Sequence, residues 1–196
     1  MSKDCLVLGV DYQPLTLVPL SVISWDKALS KVYKGNATVV EEYDDWILRS
    51  QTMSIKVPAI IALTNKRKVR HKVRLSRYNI LLRDDFTCQF CGDKYHIFDN
   101  KNLTKDHVIP KSKGGPSTWN NLVAACSDCN FEKGDRNIMK PKKPAYKPDY
   151  WELAAKSDKH PIKIKHPSWA LYLGRSEDKV ILVGRNQALV DEESPE

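Results

Sequence analysis

The chain has 196 residues, 41% of them hydrophobic, which is enough to bury a core and short enough for one compact domain or two small ones. Its 32 Lys and Arg against 24 Asp and Glu leave a net charge of +8, a balance that favours a polyanionic partner over a small-molecule substrate. No stretch has the build of a signal peptide or approaches the roughly twenty apolar residues of a membrane span, so the expected setting is cytoplasmic and reducing, with no membrane partner.

Leu6 to Val10 reads as a strand. Ser21 to Gly35 reads as a helix, because Val22, Trp25, Leu29 and Val32 recur at helical spacing, with Ser21 or Ser24 as cap and Gly35 as terminator. Ala37 to Tyr43 and Trp46 to Arg49 are expected to be strands joined in a hairpin at Asp44-Asp45, and Lys56 to Leu63 a further strand. Cys5, inside an apolar run, reads as a small buried side chain. No catalytic constellation stands out in this half.

The densest positive charge follows in TNKRKVRHKVRLSR. Runs of this kind are commonly just a solvated face. Ahead of the motif described next, Lys66, Arg67, Lys68, Arg70, Lys72 and Arg74 also suit a track for phosphates, where each neutralised phosphate adds salt-sensitive affinity. Ser76 is expected to cap a short helix from Arg77 to Asp84.

Two CxxC pairs, Cys88/Cys91 and Cys126/Cys129, bracket the stretch that carries chemistry. Such pairs let both sulfurs of a knuckle face one ion, so the four thiolates make a tetrahedral zinc site. The competing readings are two disulfides or four buried thiols, and a reducing setting speaks against the first. Four cysteines saturate the ion. The zinc is then structural, and catalysis has to come from other residues.

Between the pairs, Leu103 to Ile109 and Trp119 to Val123 read as two strands separated by a lysine- and glycine-rich loop. Ser127 onward reads as a helix stopped at Gly134. His107 falls on the first strand, Asn121 near the end of the second and Asn130 on the helix. Taken in register, DHVIPKSKGG, WNNL and CxxCNxxKGDR resemble the HNH endonucleases, whose ββα-metal fold carries DH, then Asn, then His or Asn; this chain is similar to an H-N-N variant with a four-cysteine zinc site. VLGVDYQPL, GNATVVEEYDDW and VPAIIAL also resemble the region that precedes the nuclease module in bacterial and phage members.

The resemblance implies roles that the chemistry explains. Phosphodiester hydrolysis needs a water-derived nucleophile and charge stabilisation of the phosphate and leaving oxygen; a neutral imidazole supplies the first and a hard divalent cation the second. His107 is the implied general base, and Asp106 and Asn130 the implied ligands of Mg²⁺ or Mn²⁺. Asn121, chosen over Asn120 because it directly precedes Leu122-Val123, is implied to orient the base through the backbone. Lys111, Lys113, Lys133 and Arg136 lie where they would meet the same phosphate backbone, or serve only as solubilising surface.

Beyond the motif, Lys140 to Pro148 is proline-rich, basic and extended, a linker expected to wrap over the module. Asp149 to Lys156 reads as a short helix and Val180 to Val183 as a strand. Trp151, Trp169 and Tyr172 are expected to pack as apolar anchors, although aromatics among basic residues also suit base stacking. The acidic end DEESPE reads as disordered. The expected fold is α+β: a small N-terminal α/β-mixed region (1–75), a zinc-stapled ββα-metal (HNH) nuclease module (76–139), and a basic Pro-rich linker with a C-terminal extension (140–196). The expected function is a metal-dependent DNA endonuclease acting on double-stranded DNA. A zinc-stapled nucleic-acid-binding protein without cleavage, or an HNH nuclease acting on RNA, are the alternatives.

Overall fold

The structure is a computed structural model that describes residues 4–67, 69, 71–98, 100–136 and 138–183. Lys68, Arg70 and the acidic end lie outside the described residues. The chain divides into two compact units, one made of residues 1–70 with 161–196, the other of residues 71–160. Residues 140–196, read from the sequence as one linker and extension, are therefore shared between the units.

In the first unit, β1 (Asp4–Leu8), β2 (Val22–Ser24), β3 (Ala37–Arg49) and β4 (Ser54–Leu63) form one sheet in the order β2-β1-β4-β3. β1 runs parallel to β4 and antiparallel to β2, and β3 is antiparallel to β4. A strand turns successive side chains to opposite faces, so Leu6 and Leu8 join one apolar cluster while Cys5 and Val7 join the other. α1 (Trp25–Tyr33) covers the second face through Ala28. The near-continuous apolar run of β1 follows from burial on both faces.

Two expectations change here. The helix predicted from Ser21 begins only at Trp25, because Val22–Ser24 pair with Asp4–Leu6 as an edge strand. No hairpin forms at Asp44-Asp45: β3 runs through to Arg49, with register shifts between Glu42 and Ile47. Tyr43 explains this, since it is 3% exposed and its hydroxyl donates to Asp4 O at 2.7 Å, which ties the middle of the strand to the core.

The second unit opens with α2 (Arg77–Arg83), whose cap Ser76 accepts a hydrogen bond from Asn79 N. β5 (Leu103–His107) and β6 (Leu122–Cys126) pair antiparallel from Leu103↔Cys126 to His107↔Leu122, and α3 (Ser127–Lys133) follows directly. The second strand begins three residues later than its sequence suggests. Trp119 is buried, but its carbonyl accepts from Arg83 rather than from a strand neighbour, and Asn121 N donates to Thr118 O in a turn.

Arg83, 2% exposed, spends all five of its donors. Its Nε and one terminal nitrogen reach the Asp84 carboxylate at 2.7 and 2.9 Å, and the others reach the carbonyls of Trp119, Tyr146 and Leu122. Asp84 Oδ2 also accepts from Ala124 N at 2.7 Å. One ion pair thus joins the end of α2 to β6, to the turn before it and to the segment that follows α3.

Residues 140–148 hold no helix or strand, and Lys142 N donates to Gln89 O at 2.7 Å. α4 (Tyr150–Asp158) starts at the cap Asp149, which accepts from Glu152 N. Trp151 is not an anchor: it is 65% exposed, packs edgewise on Tyr150 and meets the His71 ring at a tilt. β7 (Ile162–Ile164) and β8 (Val180–Leu182) then pair in parallel, with α5 (Ala170–Leu173) between them. Here Trp169 is an anchor, 2% exposed, with its indole N–H donating to Ala59 O at 2.8 Å. Ile164, Trp169 and Leu173, with the half-buried Tyr172, complete the Leu6–Leu8 face of the first sheet.

Removing one partner of a buried ion pair strands the other, so Arg83→Met is expected to destabilise the second unit by about 3–5 kcal/mol. Hydrogen exchange at residues 122–126 would report this as lost amide protection, and parental protection in the variant would refute the role given to Arg83.

Candidate active site and metal centre

The first knuckle hangs from the end of α2. Asp85 and Phe86 take φ of 53 and 52°, turning the chain so that Cys88 N donates to Asp93 O and Gly92, at φ 90°, donates back to Cys88 O. The second knuckle straddles a strand–helix junction: Cys126 ends β6 and caps α3, its sulfur accepting from Cys129 N at 3.4 Å. All five cysteines of the chain are free, and the sulfurs of Cys88, Cys91, Cys126 and Cys129 lie within 4.8 Å of one another. Four sulfurs bound tetrahedrally at about 2.3 Å stand about 3.8 Å apart; Cys91 and Cys126 are separated by 3.9 Å.

The electrostatics of the cluster suit a cation. Burial opposes ionisation of Cys88, but backbone N–H groups of Cys126, Cys91 and Phe90 outweigh it and bring the thiol down to about 7. Burial pushes Cys91 up to about 11, and burial followed by the neighbouring sulfurs raises Cys129. Four thiolates this close repel one another unless an ion sits among them. The donor set fits a closed, structural zinc rather than an open catalytic one.

The β5–β6–α3 arrangement gathers the remaining motif residues. Asp106 pairs with Val123 and His107 with Leu122 across the two strands. Thr104 and Asp106 share one side of β5, and α3 lies against both: Asn130 Nδ2 donates to Thr104 Oγ1 at 3.4 Å, and Lys133 Nζ stands 2.8 Å from Asp106 Oδ2. Asn130 and Lys133, three residues apart, occupy one face of the helix. Lys133, read as a phosphate contact, is fully buried; Arg136 is exposed and donates to Glu132 O.

His107 Nε2 shares a hydrogen bond of 2.9 Å with Ser117 Oγ. Burial and then the charge of Lys111 hold the imidazole below its ordinary value, while Asp106 pulls the other way. Asn121, 5% exposed, clips the loop after His107: its Oδ1 accepts from Ile109 N at 2.8 Å, and its Nδ2 donates to Ile109 O and Pro116 O. Its backbone carbonyl accepts from Val108 N, whereas Asn120 is exposed. The two glycines of KSKGG serve the same loop. Gly114 takes φ 80°, and a Cβ on Gly115 would stand 1.8 Å from Ile109 O and 2.9 Å from Asn121 Nδ2.

Lys66, Arg67, Lys72, Arg74, Lys111 and Lys113 are all exposed. Ser117, Thr104 and Arg83 escaped the sequence reading. Ser117 and Thr104 stand inside the motif, yet no spacing rule distinguishes a serine that meets a histidine ten residues away from one that caps a turn.

Comparison with known proteins matches both halves of the chain to family models. Residues 88–140 match a family model described as HNH endonuclease, and residues 5–71 match one described as HNH endonuclease-associated, N-terminal domain. A stretch of 62 residues, 31% of this chain, is 37% identical to the CRISPR-associated endonuclease Cas9 of Corynebacterium diphtheriae. That stretch covers 5% of the relative, so this chain spans a small part of its length. No solved structure matches the chain. Among the described residues no helix is long and apolar enough to cross a membrane.

Metal analysis of protein purified without added metal is expected to find about one zinc per chain, and Cys126→Ser to lose both the ion and the fold of the second unit, since structural zinc binding is coupled to folding. Retention of stoichiometric zinc by a variant with all four cysteines changed to serine would dispose of the assignment. Gly115→Ala is expected to cost about 1–3 kcal/mol through overpacking against Ile109. A melting temperature equal to the parent's would show that the loop has room to spare.

Proposed function

We propose that this chain, which carries an HNH endonuclease domain at residues 88–140, is a metal-dependent endonuclease that hydrolyses phosphodiester bonds of double-stranded DNA with His107 as general base. The observation that carries the reading is the gathering of Asp106, His107 and Asn130 on one strand pair and the helix that follows it. The net charge of +8 favours a polyanionic substrate.

Asp106 and Asn130 would hold a divalent cation such as Mg²⁺ or Mn²⁺, which supplies charge stabilisation for the phosphate and the leaving oxygen. The residues present suit that ion: Asp106 Oδ2 is buried and faces the Lys133 ammonium at 2.8 Å, a position that already holds a cation, and Asn130 turns its Nδ2 to Thr104, leaving the amide oxygen as ligand. Burial and the charge of Lys111 lower the value of His107, which favours the neutral form that a base requires. With the proton on Nε2 donated to Ser117 Oγ, Nδ1 keeps its lone pair and takes the proton of the attacking water. Asn121 acts one step back: by holding both backbone groups of Ile109 it keeps the end of β5, and so the imidazole, in place.

Lys111 and Lys113 beside His107, and Arg136 beyond α3, are offered as contacts to the phosphates that flank the cleaved one. Lys66, Arg67, Lys72 and Arg74 are offered as further phosphate contacts, which would add affinity at every sequence alike.

A supercoiled-plasmid assay with Mg²⁺ or Mn²⁺ separates the roles. His107→Ala is expected to lower the cleavage rate about 10²–10⁴-fold while leaving cation binding intact. Asp106→Ala should weaken the cation itself, so that raising Mn²⁺ recovers part of its activity and none of that of His107→Ala. Asn130→Asp keeps an oxygen ligand and should retain more cleavage than Asn130→Ala. Cleavage by His107→Ala at the parent's rate would sink the mechanism.

A further inference from the structure

We infer that Lys133 is a built-in counter-ion to Asp106, an internal ammonium that a divalent cation must displace before it can bind. This rests on the reading of Asp106 as a cation ligand. Lys133 is 0% exposed and Asp106 9% exposed, and a lysine so deeply buried in a small unit needs an anion to offset the loss of its hydration. Asp106 is that anion, with Nζ and Oδ2 2.8 Å apart. The contact is nevertheless incomplete. Beyond this ion pair neither Lys133 Nζ nor Asp106 Oδ2 has a hydrogen-bond partner among the described residues, although an ammonium offers three donors and a carboxylate oxygen two lone pairs.

The location gives the pair its meaning. Lys133 projects from the same face of α3 as Asn130, and Asp106 from the same side of β5 as Thr104, which Asn130 touches. The ammonium therefore stands on the carboxylate through which Asp106 would bind an ion. A dication and an ammonium gathered on one buried carboxylate repel each other strongly, so the two compete. The flexible four-carbon stem of Lys133 lets its Nζ withdraw without moving the helix. A withdrawn ammonium needs a new anion, and a phosphodiester bound at the site provides one. Cation and nucleic acid then favour each other's binding, and by linkage the coupling is the same in both directions. Lys133 is in this sense a positioning residue that keeps the site closed to free divalent ions until substrate arrives.

Mn²⁺ binding to the full-length protein, followed by calorimetry and by the loss of the free-ion electron paramagnetic resonance signal, tests this without reference to turnover. Lys133→Met is expected to bind Mn²⁺ about tenfold more tightly than the parent in the absence of nucleic acid, within the usual range of coupling between sites. In a His107→Ala background, a duplex oligonucleotide should tighten Mn²⁺ binding when Lys133 is present and do so far less when it is methionine. Asp106→Asn, which should lose the ion in every background, locates the site. If Lys133→Met folds only with cation, a rise in its melting temperature with Mn²⁺ well beyond the parent's is the same result, and Lys133→Gln repeats the comparison with a polar side chain. Equal Mn²⁺ affinity in parent and both Lys133 variants overturns the counter-ion while leaving a cleaving parent enzyme intact. Absence of Mn²⁺ binding from all of them, with or without duplex, overturns it together with the cation reading.

Discussion

The second unit depends on a guanidinium buried where water cannot reach it. Arg83 costs a large desolvation penalty, and the penalty is met because all five donors end on Asp84 or on backbone carbonyls that would otherwise be orphaned. The carbonyls belong to Trp119, Leu122 and Tyr146, so α2, the turn ahead of β6, β6 itself and the segment beyond α3 share one centre. Asp84 extends the network to Ala124 N in the middle of β6. β6 is the strand against which Asp106 and His107 are registered, so the position of these two residues follows from this pair.

The four-cysteine cluster constrains the same elements from the other end. Cys88 accepts from the N–H of Cys126, which joins the first knuckle to the junction of β6 and α3, and Gln89 N donates to Ala124 O. With Arg83 beneath one end of β6 and the sulfurs at the other, the strand has little freedom to slide. A slip of one residue would turn Asp106 away from α3 and separate it from Asn130 and Lys133. Apolar packing surrounds the strand pair as well: Ile80, Trp119 and Leu122 form one cluster, and Leu81, Leu82, Phe86, Leu103, Val123 and Leu153 are buried too. Apolar burial is non-directional, so the polar network and the thiolate cluster are what fix the register of the strand within that core.

The first unit is built on different physics. Its sheet is apolar on both faces, one covered by α1 and the other by Ile164, Trp169 and Leu173 from the far end of the chain. Residues 5–71, which match the HNH endonuclease-associated N-terminal domain, would leave the Leu6–Leu8 face open without that returning segment. Trp169 is the decisive contact, since it fills the face and places its indole N–H on the carbonyl of Ala59.

What the sequence by itself determined was local. Two residues between cysteines suffice to bring two sulfurs to one point, and alternating or helical periodicity over five to ten residues placed β5, α2, α3 and α4 to within a few positions. The motif residues were legible because their chemistry is carried by type and order. Tertiary structure decided whatever joins distant positions: Arg83 meets Tyr146 across 63 residues, Trp169 meets Ala59 across 110, and β3 runs through Asp44-Asp45 because Tyr43 is held by Asp4. It also decided that Lys133, in sequence one more basic residue beside Arg136, is buried on Asp106 while Trp151, in sequence an anchor, is exposed. The reason is common to all of these. A side chain's charge and size are properties of its residue, but its burial and its partner are properties of the surface that the rest of the chain brings to it.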